Sequence, residues 1–200
     1  MAAPLDFYFD FSSPYGYFAS KRIDEIGRRH GREVTWRPFL LGVAFKTTGQ
    51  TPLVEQPLRG DYHRHDFERT ARRYKLPFRM PESFPFASLA AARAYYWLAD
   101  RDPGAAKGLA RAVYDAVFGE GRDVTKAEAV ADIAARLGVD RAALLAAVDD
   151  PAVKERLKAE TEAAVRRGVF GSPFVLVDGE PFWGSDRLDQ VEEWLATGGW

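Results

Sequence analysis

A chain of 200 residues, 46% hydrophobic and 14% aromatic, can bury a sizeable core as one domain, or as one domain carrying an insertion, without disulfides or metals. Lysine and arginine total 28 against 29 acidic residues, a balance that gives no electrostatic reason to expect nucleic acid or an anionic membrane as partner. With no cysteine, structural disulfides, thiolate metal sites and a cysteine nucleophile are all excluded, which fits a reducing compartment.

The start, Met1-Ala2-Ala3-Pro4, has neither a basic nor an apolar leader pattern, and no apolar run approaches the ~20 residues that span a bilayer. The cytoplasm is therefore the expected location. In residues 5–11 the apolar Leu5, Phe7, Phe9 and Phe11 alternate with Asp6, Tyr8 and Asp10, predicting a strand packed mainly on one side. Ser12-Ser13-Pro14 breaks it. A helix to about residue 30 follows, with Tyr17, Phe18, Ile23 and Ile26 on its apolar face and Gly31 at its stop; residues 33–39 read as a second strand. Two strands joined this way are expected to be parallel, with a right-handed crossover.

The middle reads as helical throughout: residues 62–74, a proline-rich loop over 76–86, then helices over 88–98 and 105–118. Thr125 and Glu128 have the spacing of a capping box for a helix ending at Gly138, and Asp150-Pro151 opens a long helix ending near Gly168. After it, residues 174–177 read as a strand, Asp178-Gly179 as a hairpin turn, and residues 180–183 as the returning strand, which Pro181 demotes to an edge. Ser185-Asp186 is expected to cap a last helix with Leu188, Val191, Trp194 and Leu195 on one face. The order is βαβ, a helical insertion, then ββα. That predicts an α/β thioredoxin fold with a large all-α insertion: residues 1–42 and 168–200 form the discontinuous thioredoxin-like part, and residues 43–167 the insertion.

A thioredoxin fold places its chemistry where the first strand gives way to the first helix, here Ser13-Pro14-Tyr15-Gly16. Open amides and the positive end of the helix dipole favour an anion there, and Ser13 adds a hydroxyl. The run Asp6-Phe7-Tyr8-Phe9-Asp10-Phe11-Ser12-Ser13-Pro14-Tyr15 resembles the opening of the 2-hydroxychromene-2-carboxylate isomerases and kappa-class glutathione transferases, in the DsbA-like branch of thioredoxin folds. Gly168-Val169-Phe170-Gly171-Ser172-Pro173 and Phe182-Trp183-Gly184-Ser185-Asp186-Arg187-Leu188 are similar to the family's second signature. The resemblance covers essentially the whole chain.

The resemblance implies glutathione as cofactor. Ser13 would hydrogen-bond its sulfur, so that the ligand brings the nucleophile the chain lacks. Pro173 would follow a cis bond and turn the Ser172 backbone toward the cysteinyl part; Ser185 and Asp186 would hold the γ-glutamyl end. Gln50 stands where many relatives have asparagine, leaving a contact with the glycyl end as an expectation, and Ser172-Pro173-Phe174 replaces the Val-Pro-Thr of many relatives, which would reshape the second-substrate pocket.

Each signal also has a plainer reading. Ser13, Ser185 and Asp186 are ordinary helix caps, and Pro173 an ordinary structural proline. His63 and His65 sit two apart and would not share a helix face, and His30 is the only other histidine, so no metal site is expected. Tyr95, Tyr96, Trp97, Phe182 and Trp183 serve equally as core or pocket wall. The arginines of residues 69–73 read as a solvated face, with Lys46 and nearby arginines able to attract a carboxylate. The activity implied is a glutathione-dependent isomerase acting on 2-hydroxychromene-2-carboxylate or a related aromatic-catabolism intermediate. A kappa-like transferase or peroxidase is the alternative, and a non-catalytic thioredoxin-fold binding or chaperone module the alternative of another class. A small aromatic carboxylate as substrate and a homodimer are further implications of the resemblance.

Overall fold

The structure, a computed structural model, describes residues 4–200; the expectation about a leader at Met1 to Ala3 lies outside them. Strand β1 (Leu5–Phe9) is followed by helices α1 (Pro14–Ser20) and α2 (Ile23–Arg29), then β2 (Val34–Pro38). Seven helices come next: α3 (Leu41–Thr48), α4 (Arg59–Tyr74), α5 (Leu89–Ala99), α6 (Pro103–Tyr114), α7 (Ala127–Ala135), α8 (Arg141–Asp149) and α9 (Pro151–Arg166). The chain closes with β3 (Phe174–Val177), β4 (Glu180–Trp183) and α10 (Leu188–Thr197). The sheet order is β2-β1-β3-β4. The β1 and β2 strands are parallel, with Phe7 opposite Trp36; β1 runs antiparallel to β3, and β3 to β4. This is the βαβ–helices–ββα order read from the sequence, an α/β thioredoxin fold rich in helix.

Strand β1 is buried at every residue rather than on alternate ones. Both faces of the sheet are covered. Leu5, Phe7 and Phe9 enter the main core with Trp36, Tyr95 and Tyr114, while Tyr8 packs on the opposite side with Phe39, Ala164, Phe174 and Leu176. Alternation predicted one solvated face because Asp6 and Asp10 looked outward. Instead Asp6 is paired with Arg37 at 2.7 Å and Arg167 at 2.6 Å, so its charge is carried inward with its counterions. Full burial of an aromatic such as Phe9 stabilises by about 1.5–3 kcal/mol, which makes this strand the natural anchor of the fold.

Four local expectations are corrected. The single helix before residue 30 is two, because the Ser20 hydroxyl donates to the Tyr17 carbonyl at 2.7 Å while the Lys21 and Arg22 amides donate to the Phe18 and Ala19 carbonyls. Thr125 and Glu128 form no capping box: Asp123 draws the Thr125 amide into a turn at 2.8 Å, and α7 starts at Ala127 after Lys126, which caps nothing. Helices α3 and α8 stand where the sequence reading assigns no element. Finally, Ser185 and Asp186 do not cap α10, since a short 3-10 turn over Ser185–Arg187 delays the helix to Leu188 and no side chain caps it.

Candidate active site

The site is built at the C-terminal end of β1. Pro14 opens α1 with no N–H of its own, and the Ser13 hydroxyl oxygen caps the turn by accepting the Gly16 amide at 3.0 Å. The same hydroxyl donates to the Ser172 carbonyl at 2.8 Å, tying the two signature segments together across 159 residues. Ser13 is 5% exposed. The Tyr15 amide is the first open N–H of the helix and has no protein partner among the described residues. The Ser172–Pro173 peptide bond is cis.

Asp10 organises this corner, and the sequence reading passed it over as an outward strand residue. Its carboxylate accepts the Ser12 amide and hydroxyl, the Ser88 hydroxyl and the Leu41 amide, all at 2.8 Å. Its own amide donates to the Ser172 hydroxyl at 2.9 Å, and its carbonyl accepts from Ser13 N–H and from the Tyr114 hydroxyl. One residue thus binds the Ser13 turn, the cis-proline segment, α3 and the start of α5. Tyr114, fully buried, comes from the end of α6 where the helix passes into a π turn over Asp115–Gly119, a distortion that recurs beside functional sites. A Cβ on Gly16 would overlap the Tyr114 hydroxyl and come within 3.1 Å of the Ser172 hydroxyl oxygen, so only glycine lets α1 approach this closely.

Above this corner lies a cleft of about 830 Å³. Ser13, Gln50, Ser172, Ser185 and Asp186 all line it; Pro173 is buried beneath and does not. Ser185 is buried, yet its hydroxyl makes no hydrogen bond with the described residues, and the Asp186 carboxylate is 73% exposed with only a loose approach to Arg187 at 3.8 Å. Because neither caps α10, both are uncommitted. The Ser172 amide is unpartnered among the described residues as well. Trp183 forms part of the wall, its indole against Gly171 and its ring 4.9 Å from that of Phe170. Tyr95 and Tyr96 instead belong to the core, donating to the Trp36 and Pro38 carbonyls.

The opposite wall comes from α4 and the 75–88 loop. Phe67, Phe84 and Phe86 make it apolar, and Arg69 and Arg73 reach it, so the arginine run is not simply a solvated face. Here also His63 and Asp66 meet Tyr15 of α1: the Tyr15 hydroxyl donates to Asp66 Oδ2 at 2.6 Å and lies 3.1 Å from His63 Nδ1. Burial first, and the hydrogen-bonded Asp66 second, push the Tyr15 phenol far above its ordinary value. Burial also holds His63 below the usual imidazole range, against the pull of Asp66. The spacing of His63 and Asp66, three apart on one helix, was the available signal.

Residues 4–196 match the model of the DSBA-like thioredoxin domain. A 2-hydroxychromene-2-carboxylate isomerase of Sphingobium xenophagum is 31% identical over 98% of this chain and 99% of its own. Human glutathione S-transferase kappa 1 is 26% identical over 96% and 92%. A solved structure of a 2-hydroxychromene-2-carboxylate isomerase superimposes with a TM-score of 0.87 at 28% identity, covering 96% of this chain and 94% of that one. The chain belongs to the DsbA-like thioredoxin family, in the branch that holds the 2-hydroxychromene-2-carboxylate isomerases and kappa-class glutathione transferases.

Proposed function

We infer that the protein is a glutathione-dependent isomerase that interconverts 2-hydroxychromene-2-carboxylate and trans-o-hydroxybenzylidenepyruvate, or a close aromatic-catabolism relative of that pair. The observation that carries the reading is Ser13. In a chain with no thiol of its own, a buried hydroxyl sits at the first turn of α1, facing a large cleft, where the family resemblance implies that the redox thioredoxin folds keep a cysteine.

The polar groups left open around the cleft fit the tripeptide. The Ser185 hydroxyl and Asp186 carboxylate suit the carboxylate and ammonium of a γ-glutamyl group, the Ser172 amide suits the cysteinyl carbonyl, and the Gln50 side chain suits the glycyl carboxylate. Bound glutathione supplies a thiolate that adds to the substrate's conjugated system and leaves again, so that a double bond becomes temporarily rotatable. Ser13 Oγ already accepts the Gly16 amide; its proton, now on the Ser172 carbonyl, has only to rotate to donate toward a sulfur. With the Tyr15 amide beside it, that donor favours the ionised thiol. Phe67, Phe84 and Phe86 keep water from the opposite side, Trp183 covers the near one, and Arg69 and Arg73 attract an aromatic carboxylate. A cytoplasmic homodimer completes the reading.

The similarity to glutathione S-transferase kappa 1 supports a second reading, in which the same residues serve net conjugation or peroxide reduction. Incubating purified protein with 2-hydroxychromene-2-carboxylate and glutathione separates the two. The isomerase reading expects ring-opened product with an unchanged thiol titre, and at least a tenfold lower rate for Ser13→Ala. Stoichiometric loss of thiol contradicts it in favour of a transferase, and glutathione that neither binds nor accelerates anything favours a non-catalytic module.

A further inference from the structure

The interconversion just described has two parts. Rotation about a double bond needs the thiolate, but 2-hydroxychromene-2-carboxylate is a closed hemiketal, and opening its ring is a proton-transfer step in which no sulfur takes part. The polar cluster of Tyr15, His63 and Asp66 has no role in holding glutathione as assigned above, yet all three line the same cleft as Ser13.

Their hydrogen-bond inventory fixes the protons. Asp66 accepts the Tyr15 hydroxyl proton at 2.6 Å, so Tyr15 Oη has no proton left to give His63 Nδ1 at 3.1 Å and must accept one from it. His63 is then the Nδ1–H tautomer, and Nε2, the ring's lone-pair nitrogen, has no protein partner among the described residues. The charged and titratable neighbours are Arg59, Tyr62 and Asp66 on α4, Tyr15 from α1 and Asp186 from the turn before α10. Arg69 pairs with Asp66 from the same helix, holding that carboxylate in place. The order His–Tyr–carboxylate resembles a base backed by an orienting acid, with a phenol as the connecting link.

We propose that His63 is the acid–base residue of ring opening, with Tyr15 and Asp66 as its positioning residues. Nε2 takes the proton of the hemiketal hydroxyl; the carbon–oxygen bond of the ring breaks with its electron pair on the departing phenolate oxygen, and the ketone forms. The imidazolium then returns the same proton to the phenolate. Nothing is consumed. While it is charged, its Nδ1–H is held through Tyr15 toward the Asp66 carboxylate, which favours the imidazolium at the moment it exists. Burial keeps the resting ring neutral and ready to accept a proton.

This assignment rests on the isomerase reading, and the test separates the two. In the ligand-free protein, 15N-detected NMR of the three histidines is expected to show His63 neutral at pH 7 with the proton on Nδ1; a proton on Nε2, or a charged ring, overturns the proposal whatever the activity. In turnover, His63→Asn keeps an amide donor toward Tyr15 but cannot titrate. Its kcat is expected to fall about 100-fold, with KM within a few-fold and the glutathione-induced rise in melting temperature retained. Wild-type kcat in His63→Asn overturns the proposal alone, whereas no turnover by the wild type removes the isomerase reading and the proposal with it. Tyr15→Phe, which leaves Nε2 intact but frees Nδ1, is expected to lose about tenfold in kcat; an unchanged value contradicts the relay.

Discussion

At the scale of single residues, the site depends most on one that touches nothing outside the protein. Asp10 is 4% exposed and its carboxylate accepts four donors from three separate segments. Replacing it with alanine leaves the Leu41 amide and the Ser88 hydroxyl without partners in a region water reaches poorly. Each orphaned donor costs about 1–3 kcal/mol, so Asp10→Ala is expected to destabilise by about 3 kcal/mol or more in urea unfolding, and to weaken glutathione binding because the Ser13 turn loses its anchor. Stability within 1 kcal/mol of wild type would show that the network is dispensable. Ser13 itself was legible from the sequence, since Ser-Pro before an apolar helix face is a cap and its match to a second distant motif marks it further. Asp10 was not, because its partners lie 31 and 78 residues away and no local pattern announces them. His63 was weighed only as a metal ligand and set aside. The spacing considered was to His65, whereas the partner the structure gives it is Tyr15, 48 residues away.

At the scale of elements, most of what could be read locally was read and what depended on neighbours was not. The β1 and β3 strands, the α4 and α9 helices and the hairpin at Asp178-Gly179 all carry their own signals, in periodicity or turn chemistry. Helix α3 carries none at its start: its first amide is satisfied by Asp10 in place of a local cap. Helix α8 did have one, Asp140 accepting the Ala142 and Ala143 amides, so its omission is an error of reading and not of information. The delayed start of α10 follows from the 3-10 turn after Gly184, and it is what leaves Ser185 and Asp186 open toward the cleft. The contact between α1 and the end of α6 is a tight packing decision at the site. In Gly16→Ala the new methyl meets the hydroxyl of Tyr114, which is fully buried and cannot retreat. Overpacking of this kind costs about 1–3 kcal/mol, and α1 can relieve it only by moving from Ser172. A lower melting temperature together with weaker glutathione binding is expected; wild-type values for both would mean that α1 has more room than the structure gives it.

At the scale of the whole molecule, the fold keeps several phenols protonated. Burial, as the largest cause, raises Tyr15, Tyr95, Tyr96 and Tyr114 above their ordinary value and pushes Tyr17 up to about 12. The unfolded chain releases these protons near pH 10 while the folded one still holds them, so folding binds protons and stability falls as pH rises. The stability is intact below about pH 10 and is lost above it, by about 1.4 kcal/mol per pH unit for each tyrosine that stays protonated. Urea midpoints at pH 8 and pH 10.8 are expected to differ sharply; equal midpoints would contradict the burial of these hydroxyls. The same aromatic core leaves a large cleft with serine at its base and no thiol anywhere in the chain. That absence makes the decisive measurement clean, because any thiolate absorbance near 240 nm belongs to the ligand. With the protein in excess, titrating bound glutathione across pH is expected to show the thiolate forming well below the ~8.5 of an ordinary cysteine thiol, and to move back toward that value in Ser13→Ala. Bound glutathione that ionises like the free tripeptide, in wild type and variant alike, would contradict the account.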